Sequence, residues 1–312
     1  MTATTTAPVA APSVRTEKRP SGRMRAWATR APLLPALIFM VAVTQLPFVA
    51  TLVISFFDWN SLYPDARSFT GFGNYSEVLT DAALRKSVWT TILLTVTVVL
   101  ASLILGLGLA LLLDRKFRGR GVVRTLLIAP FLVVPVAAAL LWKHVLYNPE
   151  YGLLNGLLHY VGGPEPDWIS NTPLLAVEMS LVWQWTPFMM LILLAGLQSR
   201  DHQQIEAAKV DGASDWQVFR YLTLPHLRRY LELGALLGSI YIVQNFDAVF
   251  TITSGGLGTA NLPYTVYQSF YQAHENGLAS AAGVLVVIGS IIIATFALRV
   301  VSSLFREEVG RA

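Results

Sequence analysis

Six side chains are polar or aromatic inside otherwise apolar runs: Trp183, Gln184, Trp185, Gln244, Asn245 and Asp247. Such groups are costly in hydrocarbon, so they face a cavity or join helices. Indole faces can pack on the C–H faces of a polyhydroxylated solute, and Gln, Asn and Asp can hydrogen-bond its hydroxyls. This is the chemistry of binding, and nothing points to bond-making. The 312 residues include no cysteine, which excludes disulfides, thiolate nucleophiles and Cys-ligated metals. The five histidines, His144, His159, His202, His226 and His274, lack metal-ligand spacing. No pair of catalytic groups falls at membrane depth, so we expect no catalytic residue and no metal. Glu178 and Glu232 lie near the ends of apolar runs and read as interfacial.

The elements that must position these groups are apolar and long. Hydrophobic residues make up 54% of the chain and charged residues 13%, against about 25% charged in an average soluble domain. The mean hydropathy is +0.53. Uncharged runs cover 31–57, 87–113, 125–142, 179–199 and 276–298, each at or near the roughly 20 residues that cross a bilayer. A sixth run, 230–250, is apolar with Glu232 and Asp247 near its ends. Nineteen of the 23 Lys and Arg fall before residue 31, at 115–124, at 200–229 and after 298. The positive-inside rule therefore places both termini in the cytoplasm with six spans. The expected fold is an all-α polytopic membrane protein, with a basic disordered tail over 1–30, a transmembrane domain over 31–306 and a cytoplasmic end at 307–312. Membrane lipid is an expected partner and nucleic acid is not. No pair of Gly/Pro-broken spans of the kind found in secondary transporters is expected.

Outside the spans, turn chemistry at Gly71–Asn74 precedes an expected short helix over 75–84. The stretch 153–160 reads as an amphipathic helix in the interface plane. Between 248 and 274, Gly255, Gly256, Gly258, Asn261 and Pro263 would break a spanning helix; a scoop-like loop or a neutral outer loop fits.

The loop 199–227 is the most informative. Ile205, Ala208, Val218, Phe219 and Leu222 supply apolar contacts for a helix-turn-helix broken at Gly212, where a residue without Cβ can take left-handed angles. Ala207, Ala208 and Ala213 are small enough to let it sit in a partner's groove. Glu206 and Asp211 are suited to helix N-termini or to basic partners, and Pro225 joins the motif to the next span. The alternative is an amphipathic helix lying on inner headgroups.

Glu206-Ala207-Ala208, then Asp211-Gly212-Ala213, Phe219 and Leu224-Pro225, resemble the EAA loop of bacterial ABC importer permeases. The segments 245–256 and 277–283 resemble the carbohydrate-importer, maltose-type branch, although Leu257 stands where that branch commonly has proline. Ile128-Ala129-Pro130-Phe131, Leu141-Trp142-Lys143 and 183–188 are similar to permeases of sorbitol/mannitol-type polyol importers. The resemblance implies a type I importer fold in the bacterial cytoplasmic membrane and coupling through the EAA loop. It also implies a second related permease, two ATP-binding subunits and an extracytoplasmic solute-binding protein. The lysines are preceded by Glu, Arg, Arg, Trp and Ala, so no Gly-Lys of a P-loop exists; ATP and Mg2+ then belong to the partners. A rival class is an ion-coupled secondary transporter of a small polar solute, with Asp247 as its intramembrane carboxylate.

Overall fold

The computed structural model describes residues 31–309. The basic tail expected over 1–30 lies outside these residues, as do 310–312 of the C-terminal end. Residues through Ala50 form one unit and Thr51 onward a second. The first helix, α1 (Leu34–Ile54), is apolar throughout and none of its residues is buried.

The body opens with two short strands, β1 (Phe57–Asp58) and β2 (Ser68–Phe69), paired antiparallel with Phe57 opposite Phe69. Buried Asn74 fixes their base, its Nδ2 donating to the carbonyls of Ser55 and Phe57 at 2.9 Å each. Asn74 sits on α2 (Gly73–Thr80), which ends four residues earlier than the sequence led us to expect. Asp81 is the cause: it is extended, and its carboxylate accepts from the Leu84 amide at 2.9 Å. An N-cap residue starts a new helix where continuation was expected. That helix is α3 (Ala82–Asp114).

The run 125–142 is not one straight span. It consists of α4 (Arg120–Leu132) and α5 (Pro135–Leu141), the latter continued by a π-type turn to Leu146, with a bend of 100°. Val133 and Val134 are extended. A proline ring disfavours helical angles in the preceding residue, and Pro135 follows Val134. Two short outer helices come next, α6 (Leu153–Tyr160) and α7 (Trp168–Asn171). Asn155 joins them, donating to Pro166 O at 3.1 Å and accepting from Trp168 Nε1 at 2.8 Å. Asp167 caps α7, and the Ser170 hydroxyl it binds holds its carboxyl below the usual range.

The next span is α8 (Pro173–Gln198). The cytoplasmic motif then runs through α9 (His202–Val210), α10 (Asp215–Val218) and a π-type turn to Thr223. The run 230–250 is also broken, into α11 (Leu224–Val243) and α12 (Asp247–Thr253), bent by 51°. Two of the expected straight runs are thus bent pairs; counting charges between breaks cannot register a bend. The segment 248–274 forms a helix-loop-helix of α12 and α13 (Leu262–Tyr267), a shape that fits a scoop and a neutral outer loop alike. Its loop includes Leu257 at φ +54°, an angle the proline ring forbids. The last helix, α14, spans Asn276–Val309.

Among the described residues four helices are long and apolar enough to cross a membrane uninterrupted, and each bent pair makes one more candidate span, up to six. The central seam lies between α3 and α8, where Leu94, Val98, Met189, Met190 and Leu193 are buried. Gly106 lets the two backbones meet: a Cβ there would lie 2.8 Å from Met189 Cβ and 2.9 Å from the Met190 amide. Gly106→Val should cost about 1–3 kcal/mol as an overpacked seam, read as a lower melting temperature of the detergent-purified protein. An unchanged melting temperature would show that the seam is looser than drawn.

Candidate functional site

Two regions gather the singled-out residues. In the cytoplasmic knob, Asp201 caps α9 through the Gln203 amide at 2.9 Å. At its other end Gly212 turns the chain at φ +89°. The Gly212 amide donates to Lys209 O at 3.1 Å and the Ala213 amide to Ala208 O at 2.9 Å, a Schellman closure that requires the left-handed residue. Ser214 then opens α10 with a reciprocal capping box to Gln217, and Lys209 reaches across the turn to Asp215 at 2.9 Å. The knob is thus held from within its own short sequence. Glu206 and Asp211 are not at helix N-termini: Glu206 lies within α9 and Asp211 follows its last residue. The acids at N-termini are Asp201 and Asp215.

Glu206, Ala207, Asp211 and Gly212 are exposed, while Ala208, Ala213 and Phe219 are half-buried. Ala208, Gly212, Ala213, Val218 and Tyr221 line a hollow of about 400 Å³. Around it Val210, Trp216 and Tyr221 are 88%, 68% and 72% exposed, an apolar surface typical of interfaces rather than of a monomer's cytoplasmic loop.

The root of the knob is an arginine that the sequence reading did not single out. Arg200 Nε donates to Leu197 O at 2.9 Å, Nη1 to Thr223 Oγ1 at 2.9 Å and Nη2 to Asp114 Oδ2 at 2.5 Å. One guanidinium therefore ties the end of α3, the end of α8 and the turn that feeds α11. Pro225 lies in the first turn of α11, where its missing N–H is no loss.

Within the spans, Trp183, Gln184 and Trp185 diverge. Trp183 packs edge-on to Trp142 at 5.9 Å. Gln184 is buried, and its Nε2 donates to Val133 O at 3.1 Å, the carbonyl freed by the break between α4 and α5. Trp185 stacks on Tyr241 of α11 at 5.1 Å and meets Phe131 and Phe188 edge-on. Gln244, Asn245 and Asp247 gather at the other break. Gln244 is exposed and Asp247 half-buried. Asn245 Oδ1 accepts from the Ala248 amide at 3.3 Å, and its carbonyl accepts from Asn261 Nδ2 at 2.6 Å. The outer limbs of the two broken spans meet where Lys143 Nζ donates to Thr251 O at 2.8 Å. Glu178, in the second turn of α8, is half-buried, and Thr97 Oγ1 donates to it from α3 at 2.7 Å. Arg228 pairs with Glu232 at 2.9 Å. Among the described residues no group of three or more His, Asp and Glu could hold a metal.

A helical membrane domain of this build, with a stiff cytoplasmic knob, matches the family described as "Binding-protein-dependent transport system inner membrane component" over residues 102–307. The chain belongs to that family. It is 35% identical to a probable ABC transporter permease protein, y4oQ, of Sinorhizobium fredii, covering 92% of this chain and 93% of that one. The trehalose/maltose transport system permease protein MalF of Thermococcus litoralis is 33% identical, covering 82% and 87%. In fold it resembles a chain from the crystal structure of a bacterial alginate ABC transporter in complex with alginate pentasaccharide-bound periplasmic protein. That match has a TM-score of 0.77 at 20% identity and covers 91% of this chain and 96% of that one. The protein is a multi-pass inner-membrane permease with the type I importer fold.

Arg200→Met would leave Asp114 and Thr223 without their donor, at an expected cost of about 1–3 kcal/mol. Arg200→Lys keeps the charge but not the fork and should fall between. Thermal unfolding of the two purified variants checks this; equal stability of all three proteins would remove Arg200 from the root.

Proposed function

We propose that this chain forms half of the translocation pathway of an ATP-driven importer for a neutral sugar or sugar alcohol. The solute would be delivered by an extracytoplasmic solute-binding protein. A second related permease completes the pathway, and two ATP-binding subunits dock on the knob within residues 199–227. ATP and Mg2+ sit on those subunits, and this chain binds no cofactor and hydrolyses nothing.

The observation that carries this reading is mechanical. The knob is closed on itself by its turn and capping box, presents exposed Trp216, Tyr221 and Val210, and is anchored through Arg200 to three membrane elements. A rigid surface of that kind can pass a partner's movement into the spans, a two-state transition biased by nucleotide. Glu206, Ala207, Ala208, Asp211, Gly212, Ala213, Phe219 and Pro225 form the coupling element in this account.

For the solute, the trehalose/maltose relative supports the carbohydrate class. Gln244 and Asp247 are placed to offer hydrogen bonds at the α11–α12 break, and Trp185 and Trp183 offer aromatic faces. Gln184 and Asn245 contribute by holding the two breaks in shape, since each is already engaged by backbone.

Gly212→Trp forces a bulky residue into a left-handed angle at about 1–3 kcal/mol and, like Glu206→Lys, alters the docking face. Both variants should insert normally yet lose solute uptake and transport-coupled ATP hydrolysis in membrane vesicles. Normal uptake in both would refute the role of the knob. Wild-type uptake should survive collapse of the membrane potential and fail on ATP depletion. Asp247→Asn should weaken solute affinity without making uptake independent of ATP; abolition of an ion gradient requirement instead would favour ion coupling.

A further inference from the structure

An open apolar groove runs along α3 to Arg115 and Lys116 at its end, and none of the solute or coupling residues lies in its lower half. Its lower part, about 520 Å³, is lined by Leu109, Leu112, Leu113, Val123 and Leu127 and opens at Arg115 and Lys116. Leu109, Leu112 and Leu127 also line the upper part, a cavity of about 920 Å³ between α3, α4 and α8. The two hollows adjoin across Leu109, Leu112 and Leu127, with basic residues at the lower end and apolar walls.

We propose that this groove holds one acyl chain of an anionic phospholipid of the inner leaflet, with its phosphate on Arg115 and Lys116. Charge supports this occupant. Both cations are exposed and follow directly on the last turn of α3, at headgroup level. The neighbouring acids are spoken for: Asp114 by Arg200 at 2.5 Å and Asp215 by Lys209 at 2.9 Å. Basic pockets between spans on the cytoplasmic side suit anionic headgroups.

Dimensions support it too. Half of a hydrocarbon core of about 30 Å corresponds to about ten residues of helix at about 1.5 Å each. A chain entering at Leu112 therefore ends near the level of Ser102, short of the Thr97–Glu178 pair at the top of the cavity. The polar end of the cavity stays clear of the hydrocarbon.

The glycine in the middle supplies the test. A Cβ at Gly108 meets nothing within 4 Å, unlike one at Gly106, and Gly108 lines the upper hollow, so a side chain there projects into the groove. The full chain, purified with its co-purifying subunits, is exchanged into mixed micelles of palmitoyl-oleoyl phosphatidylglycerol and phosphatidylcholine, and retained lipid is counted by native mass spectrometry. Wild type should keep one phosphatidylglycerol, in preference to phosphatidylcholine by about tenfold or more. Gly108→Phe should lose it with unchanged melting temperature. R115Q/K116Q should lose the preference, while R118Q/R124Q, with the same charge removed outside the groove, should keep it. Retention in Gly108→Phe, equal retention of the two lipids, or equal loss in both charge variants would overturn the proposal. So would a lipid-free groove in the assembled complex, which would assign it to a protein partner.

Discussion

Hydrocarbon offers no hydrogen bonds, so every backbone group inside the membrane needs a partner from the protein itself. The rest of this structure depends on how it meets that constraint where its helices break. At the α4–α5 break, the Val133 carbonyl is taken by Gln184 from α8. At the α11–α12 break, the Asn245 carbonyl is taken by Asn261, and the Ala248 amide by the Asn245 side chain. The end of α12 is taken by Lys143. These polar residues in apolar runs carry the fold first and are available for a solute only through the atoms that remain.

The same constraint explains how the scoop between α12 and α14 can exist at all. The Leu262 amide donates to Thr91 Oγ1 at 2.9 Å, and Thr265 Oγ1 donates to Ser87 Oγ at 2.9 Å. One face of α3 thus lends its hydroxyls to the short helix α13, more than 170 positions downstream. Outside the membrane the accounting differs: Glu275, beside Glu77 and Asp58, has its carboxyl pushed up by partial burial and by those like charges.

Much of this was legible in the sequence, and the boundary is physical. Charge-free length coincides with the four long apolar helices and the two bent pairs among the described residues, because insertion cost is a property of composition. The spacing around Gly212 gave the helix-turn-helix, because a Schellman turn and a capping box are local and written in adjacent residues; Ser214-x-x-Gln217 was there to be read. What escaped was non-local. Arg200 and Asp114 are 86 positions apart, so nothing in the spacing marks their pairing. The bends escaped because an apolar run does not say whether it is straight; Pro135 after Val134 was the available signal at one of them. Gln184 was singled out correctly as unusual, but its partner, a carbonyl freed by that unforeseen bend, could not be named.

These observations together fix where the molecule can yield. The seam of α3 with α8 is closed by Gly106 against the Met189–Met190 backbone, and Gly234 on α11 brings that helix within contact of Leu103 and Met189. The α3 and α8 backbones meet here and α11 packs its glycine on the Leu103 and Met189 side chains, so the three helices form one packed block. Arg200 ties the cytoplasmic ends of α3 and α8 to the turn that feeds α11, so a load applied at the knob enters the block through a short, stiff root. The outer limbs α5 and α12 are different: each continues its helix only across two or three non-helical residues, and they are joined to each other by Lys143 and by apolar packing. A net hydrogen bond contributes about 1 kcal/mol, far less than a packed helix seam. At the two breaks the helical hydrogen-bond ladder is interrupted, and there Gln244, Asn245 and Asp247 stand and Gln184 reaches across. The breaks and the polar points of this membrane domain coincide for one reason: a helix broken in lipid must have its freed backbone groups held by side chains.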